Sequence, residues 1–276
     1  MAYAWVRGEF VDDAAASVSV FDHGLVVGDG AFETIAVLDG RPFALTRHLK
    51  RLERTAEGMG LPAPKTEEVA GAVTELVHMN GMRFAKIRLT YTAGNAGLGS
   101  GRSGEEPLTV VAMQPIEMEP ASTQVALAPW PRNERGILAG LKTTSYAENV
   151  VALAWANNRG ASEVIFANTV GNLCEGSGSN IFVVKGEEIF TPPLSAGPLA
   201  GVTRDLVVEG MGASEADIPI ADLFKGEVTE IFITSTIRMV QGVSRFDDRQ
   251  LTPAPGPVTA AAQEYFSRLV GRDMDP

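Results

Sequence analysis

The chain has one cysteine, three histidines and no long apolar run, and each scarcity removes a class of function. A lone Cys174 among 276 residues excludes an intramolecular disulfide framework and fits a reducing compartment, so a cytoplasmic setting is expected. With Glu175 as its neighbour in an expected strand, that thiol reads as buried filler rather than a nucleophile. The histidines and the cysteine form no cluster in sequence, and no metal site is expected. No apolar stretch approaches the roughly 20 residues that a bilayer span needs. Met1-Ala2-Tyr3 opens no signal peptide, so no membrane association is expected. Positive charge is also in short supply. Lysine and arginine total 23 against 34 acidic residues, a net charge of −11. A nucleic-acid partner would call for a basic face, so none is expected, and acidity of this kind serves solubility.

What is present is enough chain for two domains and a sizeable core. Short strands are expected over 3–11, 17–21 and 33–38, the last closed by the turn signal Asp39-Gly40. Thr46 is placed to cap a helix in which Leu49, Leu52, Ala56 and Met59 recur at helical spacing up to Gly60. A second helix starts at Thr66, with Glu67 and Glu68 complementing its dipole, and stops at Asn80-Gly81. Strands over 84–92 and 108–114 flank a glycine-rich loop, Gly94 to Gly104. That loop follows no strand-to-helix pattern and reads as a connection rather than a phosphate cradle.

The proline-bounded stretch that follows reads as a linker. The expected division is an N-terminal domain over 1–114, a linker over 115–121 and a C-terminal domain over 122–276. In the second half a strand over 123–129 precedes a helix over 145–159, opened by the capping box Ser145-x-x-Glu148 and closed by Gly160. Strands over 163–168, 173–176, 181–184 and 188–192, a helix from Thr203, strands over 228–234 and 238–246 and a final helix complete the pattern. Strands and helices mix in both halves without regular βαβ alternation, so the expected class is α+β.

Among only six lysines, Lys142 stands apart. It lies in Gly140-Leu141-Lys142-Thr143-Thr144-Ser145-Tyr146, after the apolar run from Val125 to Trp130 and just before the expected capping box. A lysine held where a strand layer meets a helix loses hydration. That favours the neutral amine, which is able to attack a carbonyl.

Five further segments accompany it. They are Phe21-Asp22-His23-Gly24-Leu25-Val26-Val27-Gly28-Asp29-Gly30-Ala31-Phe32-Glu33-Thr34, Leu45-Thr46-Arg47-His48-Leu49-Lys50-Arg51-Leu52, Leu173-Cys174-Glu175-Gly176-Ser177-Gly178-Ser179-Asn180-Ile181-Phe182, Ala200-Gly201-Val202-Thr203-Arg204 and Ile231-Phe232-Ile233-Thr234-Ser235-Thr236. With the lysine segment in its place among them, the set resembles the class IV aminotransferases, the fold-type IV pyridoxal-phosphate enzymes, from Val18 to Thr236. The resemblance implies a smaller N-terminal α/β sandwich domain and a larger C-terminal pseudo-barrel domain. It also implies pyridoxal 5'-phosphate as cofactor, and a homodimer in which the strand and loop from Arg88 to Gly101 reach toward the partner's site.

Residue by residue, the resemblance makes Lys142 the Schiff-base lysine and proton shuttle, and Glu175 the carboxylate beside the pyridine nitrogen. Arg47 and the start of the helix at Gly201-Val202-Thr203 would hold the phosphate, one with a bidentate fork and the other with unpaired amides and a hydroxyl. Thr236 would close that cup, and Tyr146 would reach the phenolic oxygen, although it also lies on a helix face with Val150 and Leu153 that suits core packing. The spacing from Lys142 to Tyr146 is one shorter than in the branched-chain group.

Three subfamilies share parts of this pattern. The D-amino acid transaminases resemble Gly28-Asp29-Gly30-x-Phe32-Glu33 and Phe232-Ile-Thr-Ser-Thr236. The aminodeoxychorismate lyases share the approach Leu138 to Lys142, and the branched-chain transaminases share Ala85-Lys86-Ile87-Arg88. The D-amino acid group holds the substrate carboxylate with a Thr-Arg-Gly step, for which this chain has Thr90-Tyr91-Thr92. Arg88 is the nearest substitute, on a strand face with Lys86, Thr90 and Thr92. Phe32, Arg135 (seven residues before Lys142) and Arg238 complete the substrate candidates. The leading expectation is a transaminase of small amino acids, the D-enantiomers, with a 2-oxo acid as second substrate. The alternatives are the lyase and the branched-chain L-amino acid transaminase.

Overall fold

Alternation of apolar and polar residues builds the first of two compact units. A computed structural model describes residues 2–104 and 106–276; Met1 and Glu105 lie outside the described residues. The first unit runs through Glu117 and adds Leu141–Tyr146 and Asp273–Pro276, while the second comprises Met118–Gly140 and Ala147–Arg272.

In the first unit, six strands form an antiparallel sheet in the order Glu9–Asp12, Tyr3–Val6, Leu108–Pro115, Phe84–Thr92, Gly30–Leu38 and Arg41–Pro42. Side chains alternate across its pleat. Ala31, Ile35, Val37, Ile87 and Leu89 point to one face, where Leu49, Leu52, Val73 and Leu76 of helices Leu45–Gly58 and Thr66–Asn80 cover them. Phe32 and Thr34 lie on the other face, Thr34 directly opposite Arg88.

The second unit is a curled nine-stranded mixed sheet. Its order is Ser214–Glu215, Glu188–Thr191, Asn180–Lys185, Val228–Ser235, Met239–Phe246, Ser122–Leu127, Glu163–Ala167 and Leu173–Gly176, with Arg249–Gln250 paired to Met239–Phe246. Ser122–Leu127 and Glu163–Ala167 pair in parallel, which requires the crossover that carries helix Ala147–Asn157. Helices Val202–Met211 and Pro257–Arg272 complete this unit. The α+β class is the one the sequence pattern predicts.

Several local expectations are corrected. The stretch 3–11 is a hairpin of two strands that turns at Arg7 and Gly8, both with positive φ. Residues 17–21 form no strand; they lead to Asp22, whose carboxylate accepts the Gly24 N–H and caps the short helix His23–Val26. Thr46 does not cap its helix. Ala44 holds the cap position, and the Thr46 hydroxyl donates to Asp275 near the chain end. The box at Ser145 does not form either, because its hydroxyl donates to the Gly28 carbonyl at 3.0 Å and the helix begins at Ala147.

Cys174 is fully buried, and burial pushes its thiol well above the usual range, as filler would be. Among the described residues no helix is long and apolar enough to cross a membrane, and no group of three or more His, Cys, Asp or Glu side chains could hold a metal.

Candidate active site

Within the first unit, the lysine segment is stitched onto the start of strand Gly30–Leu38. Phe32 N–H donates to the Lys142 carbonyl at 2.9 Å, Ala31 and Thr143 form an antiparallel bridge, and Thr144 N–H donates to the Gly30 carbonyl at 2.7 Å. The Thr144 hydroxyl adds a bond to the Gly28 carbonyl at 2.8 Å. Gly30 permits this approach, because a Cβ there would lie 2.8 Å from the Tyr91 carbonyl oxygen and 3.2 Å from Thr144 Oγ1. The Gly28-Asp29-Gly30 motif therefore fixes the lysine in space.

Phe32 is the hub of this region. Lys142 Nζ lies 4.3 Å from its ring centroid, the Arg88 guanidinium 3.2 Å from it, and the Tyr146 ring meets it edge-on at 5.3 Å. Stacking strips water from Arg88, and this burial pulls its pKa down to about 10. Arg88, Phe32, Lys142 and Tyr146 of the sequence-derived set are thus brought together.

On the opposite face of the strand, Glu33 is fully buried against helix Leu45–Gly58. Arg51 donates to it from Nε at 2.8 Å and from Nη2 at 2.7 Å, and His48 Nδ1 lies 2.7 Å away. Burial alone would raise the Glu33 pKa, but the paired guanidinium and the imidazole win and hold it at about 2. His48 moves down, chiefly through burial, with the nearby Lys142 charge adding to the shift. Thr55, on the same helix face as His48 and Arg51, receives the Lys142 backbone N–H at 3.4 Å.

Arg47, by contrast, sends its Nε to the Pro276 carbonyl at 2.7 Å. Arg51 is therefore a candidate that sequence reasoning passed over. The available signal was Glu33, a carboxylate in an apolar strand that has to find a cation on the helix side.

In the second unit, Glu175 lies on strand Leu173–Gly176 opposite Phe166. Its Oε2 accepts the Leu199 N–H at 2.9 Å, and its Oε1 lies 3.7 Å from Arg132 Nε. Asn180 holds the Leu199 carbonyl at 2.8 Å and packs against Gly201, where a Cβ would fall 1.9 Å from Asn180 Oδ1. Gly201 leads into helix Val202–Met211, whose start has no side-chain cap. Val202 and Thr203 are both buried there. Thr236 sits in the turn after strand Val228–Ser235, whose Thr234 is in register with Asn180. Glu175, Val202, Thr203 and Thr236 therefore share one end of the curled sheet. Arg135 lies on the surface of this unit, its side chain 80 % exposed and 3.6 Å from Glu134.

Each unit, taken by itself, carries residues suited to part of a phosphate-bearing aldehyde. In the first unit the lysine amine rests on an aromatic face; in the second a ten-residue helix starts without a side-chain cap at Gly201, where a Cβ would meet Asn180 Oδ1, and a carboxylate is held by a backbone amide.

Residues 30–246 match the family model for amino-transferase class IV. A protein of Methanocaldococcus jannaschii named "Putative branched-chain-amino-acid aminotransferase" is 33 % identical over 96 % of this chain and 95 % of its own length. The D-alanine aminotransferase of Staphylococcus haemolyticus is 30 % identical over 98 % of both chains. The solved structure of the branched-chain aminotransferase from Thermoproteus uzoniensis with norvaline covers 98 % of this chain and 94 % of its own, at 30 % identity and a TM-score of 0.91. With the family model spanning most of its length, the chain belongs to the class IV aminotransferases, a family that uses pyridoxal phosphate.

Proposed function

We propose that the chain is a transaminase that moves the amino group of a small amino acid, the D-enantiomer such as D-alanine, to a 2-oxo acid such as 2-oxoglutarate. The observation that carries this reading is the Phe32 ring, with the Lys142 amine and the Arg88 guanidinium on it at 4.3 and 3.2 Å. An amino acid offers two handles, an amine and a carboxylate. Lys142 and Arg88 address them separately.

Bound pyridoxal phosphate would supply the aldehyde that accepts the amine and a ring that withdraws electrons from the substrate's Cα. Lys142 holds the cofactor at rest, and its released amine takes the proton from Cα and returns it on the other side of the transfer. Arg88 grips the substrate carboxylate with its fork of donors. Phe32 packs beside the lysine amine, and Tyr146 packs edge-on against Phe32. Glu175 keeps the proton on the ring nitrogen. The phosphate falls to Val202, Thr203 and Thr236, and to the guanidinium groups of Arg47 and Arg51, whose neighbours Thr55 and His48 already face the lysine. Arg135 is the lesser carboxylate candidate, being exposed beside Glu134.

The D-preference is supported by the Gly28-Asp29-Gly30-x-Phe32-Glu33 segment and by the D-alanine aminotransferase relative. A second reading, a branched-chain L-amino acid transaminase, is supported by the 33 % identical relative and by the norvaline-bound structure. Mixing the cofactor-loaded protein with D-alanine, and separately with L-leucine, separates them by absorbance. Loss of the visible band with D-alanine and its return with 2-oxoglutarate is the expected result. A response to L-leucine alone selects the second reading. Silence with both, joined to pyruvate release from aminodeoxychorismate, would make the chain the lyase instead.

The same reading includes a homodimer in the cytoplasm. Val20, Phe21, Leu25 and Leu98 are large, apolar and at least half exposed; the first three lie on the short helix His23–Val26 and the segment before it, and Leu98 on the glycine-rich loop that His23 reaches, its Nε2 2.9 Å from the Gly99 carbonyl oxygen. A second copy of the chain is the proposed cover for them. Sedimentation analysis giving only monomer at micromolar concentration would remove that part of the reading.

A further inference from the structure

Arg132 has no counterpart in the sequence-derived site, and its surroundings are unusual for a structural arginine. Its backbone is pinned to the strand edge by its own N–H, which donates to the Ala167 carbonyl at 2.7 Å, and by a parallel bridge to Asn168. The side chain then lies flat over Phe166, with the guanidinium carbon 4.3 Å from the ring centroid. Phe166 is the cross-strand partner of Glu175, so the cation is delivered to the flank of that carboxylate. The approach stops at 3.7 Å from Nε to Oε1, an ion pair without a hydrogen bond. Nη1 reaches the exposed Glu148 at 3.3 Å, while Nε and Nη2 are buried with no hydrogen-bond partner.

A guanidinium that buttresses a buried carboxylate makes hydrogen bonds to it, as Arg51 does with two short bonds to Glu33. Arg132 instead leaves two buried donors unmatched while its charge faces the carboxylate. What the arrangement retains is the electrostatic effect. A proton at this site has two places to settle, the Glu175 carboxylate or the ring nitrogen that faces it. A cation beside the carboxylate favours its anionic form and so leaves the proton on the ring. The same cation limits how tightly the pair as a whole holds that proton.

We propose that Arg132 is a positioning residue that keeps Glu175 ionised and sets the proton affinity of the cofactor's ring nitrogen through it. The inference rests on the reading that Glu175 faces that nitrogen. No proton is transferred to or from Arg132.

The test is the pH midpoint of the visible absorbance band of the cofactor-loaded protein, a readout that packing alone would not move. Arg132→Met removes the charge, and the midpoint should rise by about one pH unit. Arg132→Lys, which restores a cation, should return most of the shift. Glu148→Gln releases Arg132 from its exposed partner without touching the core, and should lower the midpoint by a smaller amount. In the Glu175→Gln background, Arg132→Met should lose most of its effect. If Arg132→Met leaves the midpoint in place while Glu175→Gln moves it, the role of Arg132 is overturned; where Arg132→Met does not fold, an unmoved midpoint in Glu148→Gln overturns it equally. A midpoint indifferent to Glu175→Gln removes the reading of Glu175 itself, and the two failures are thereby told apart.

Discussion

Glu33 in the first unit and Glu175 in the second each meet an arginine, and they meet it differently. Glu33 is closed to solvent and takes two bonds from Arg51 at 2.8 and 2.7 Å, with His48 at 2.7 Å. Glu175 keeps 15 % of its side chain exposed, accepts a backbone amide at 2.9 Å and has Arg132 at 3.7 Å. An ionised carboxylate has about four acceptor directions. At Glu33 short bonds to fixed neighbours use them, which suits a strut that anchors the helix under the lysine. At Glu175 the arginine stands off, which suits a carboxylate that must also receive a ligand's donor. Pairing geometry thus sets the carboxylate that braces the first unit apart from the one proposed to face the cofactor.

The sharpest way to set the two roles apart is to remove the chemistry while sparing the frame. Lys142→Ala should lower kcat by about 10⁴-fold, near the upper end for a lost proton-transfer group, with the urea midpoint almost unchanged. Arg51→Met should strike the frame, in addition to any loss of phosphate binding. It leaves a buried carboxylate without its cation, a change that costs about 3–5 kcal/mol in urea denaturation. Glu175→Gln, by the same measurement, should cost less, because its arginine makes no hydrogen bond to it and the amide oxygen can still accept the Leu199 N–H. If Glu175→Gln destabilised the chain as much as Arg51→Met, the distinction between strut and working carboxylate would fall.

Arg88 offers a narrower test. Arg88→Met should raise KM for an amino acid about 10- to 100-fold by removing charge-assisted hydrogen bonds, and should leave turnover of an amine without a carboxylate unchanged. Equal losses on both substrates would assign Arg88 to packing on Phe32 alone.

The smallest effect concerns acid. The folded-state pKa of Glu33 is lowered from 4.5 to about 2, so its stabilisation is present above the ordinary value. It should be lost as pH falls from about 4.5 toward 2. His48, also moved down, adds a penalty that begins where an ordinary histidine starts to protonate, near 6.5. Thermal midpoints should therefore decline gently below pH 6.5 and steeply below 4.5. A Glu33→Gln and Arg51→Met double variant should flatten the steep part.

Much of the site is legible in the sequence because its parts are backbone devices. Gly28 and Gly30, the lysine segment, the Glu175 strand and the Gly201 helix start each need particular residues locally, and each left a mark. The boundaries of Phe84–Thr92 and Thr66–Asn80 follow from alternation and from Gly81 for the same reason. What escaped depends on contacts between distant segments. Arg47 and Arg51 stand four residues apart on one helix, and nothing local says which of them turns toward Glu33; the strand beneath decides it. Thr46 has the chemistry of a cap but finds Asp275, and Ser145 finds Gly28, both more than one hundred residues away. Arg132 approaches Glu175 only because Phe166 lies between their strands as a platform. Periodicity carries no information about such meetings.

Six lysines are available to an aldehyde cofactor, and only one of them lies on the Phe32 ring. Reducing the cofactor-loaded protein with borohydride, digesting it and mapping the added mass tests that placement most directly. The expected result is a single modified peptide, carrying the pyridoxyl group on Lys142 and absent from the Lys142→Ala variant. Modification of another lysine, or a spread across several, would contradict the assignment of the Phe32 cluster as the centre of the chemistry.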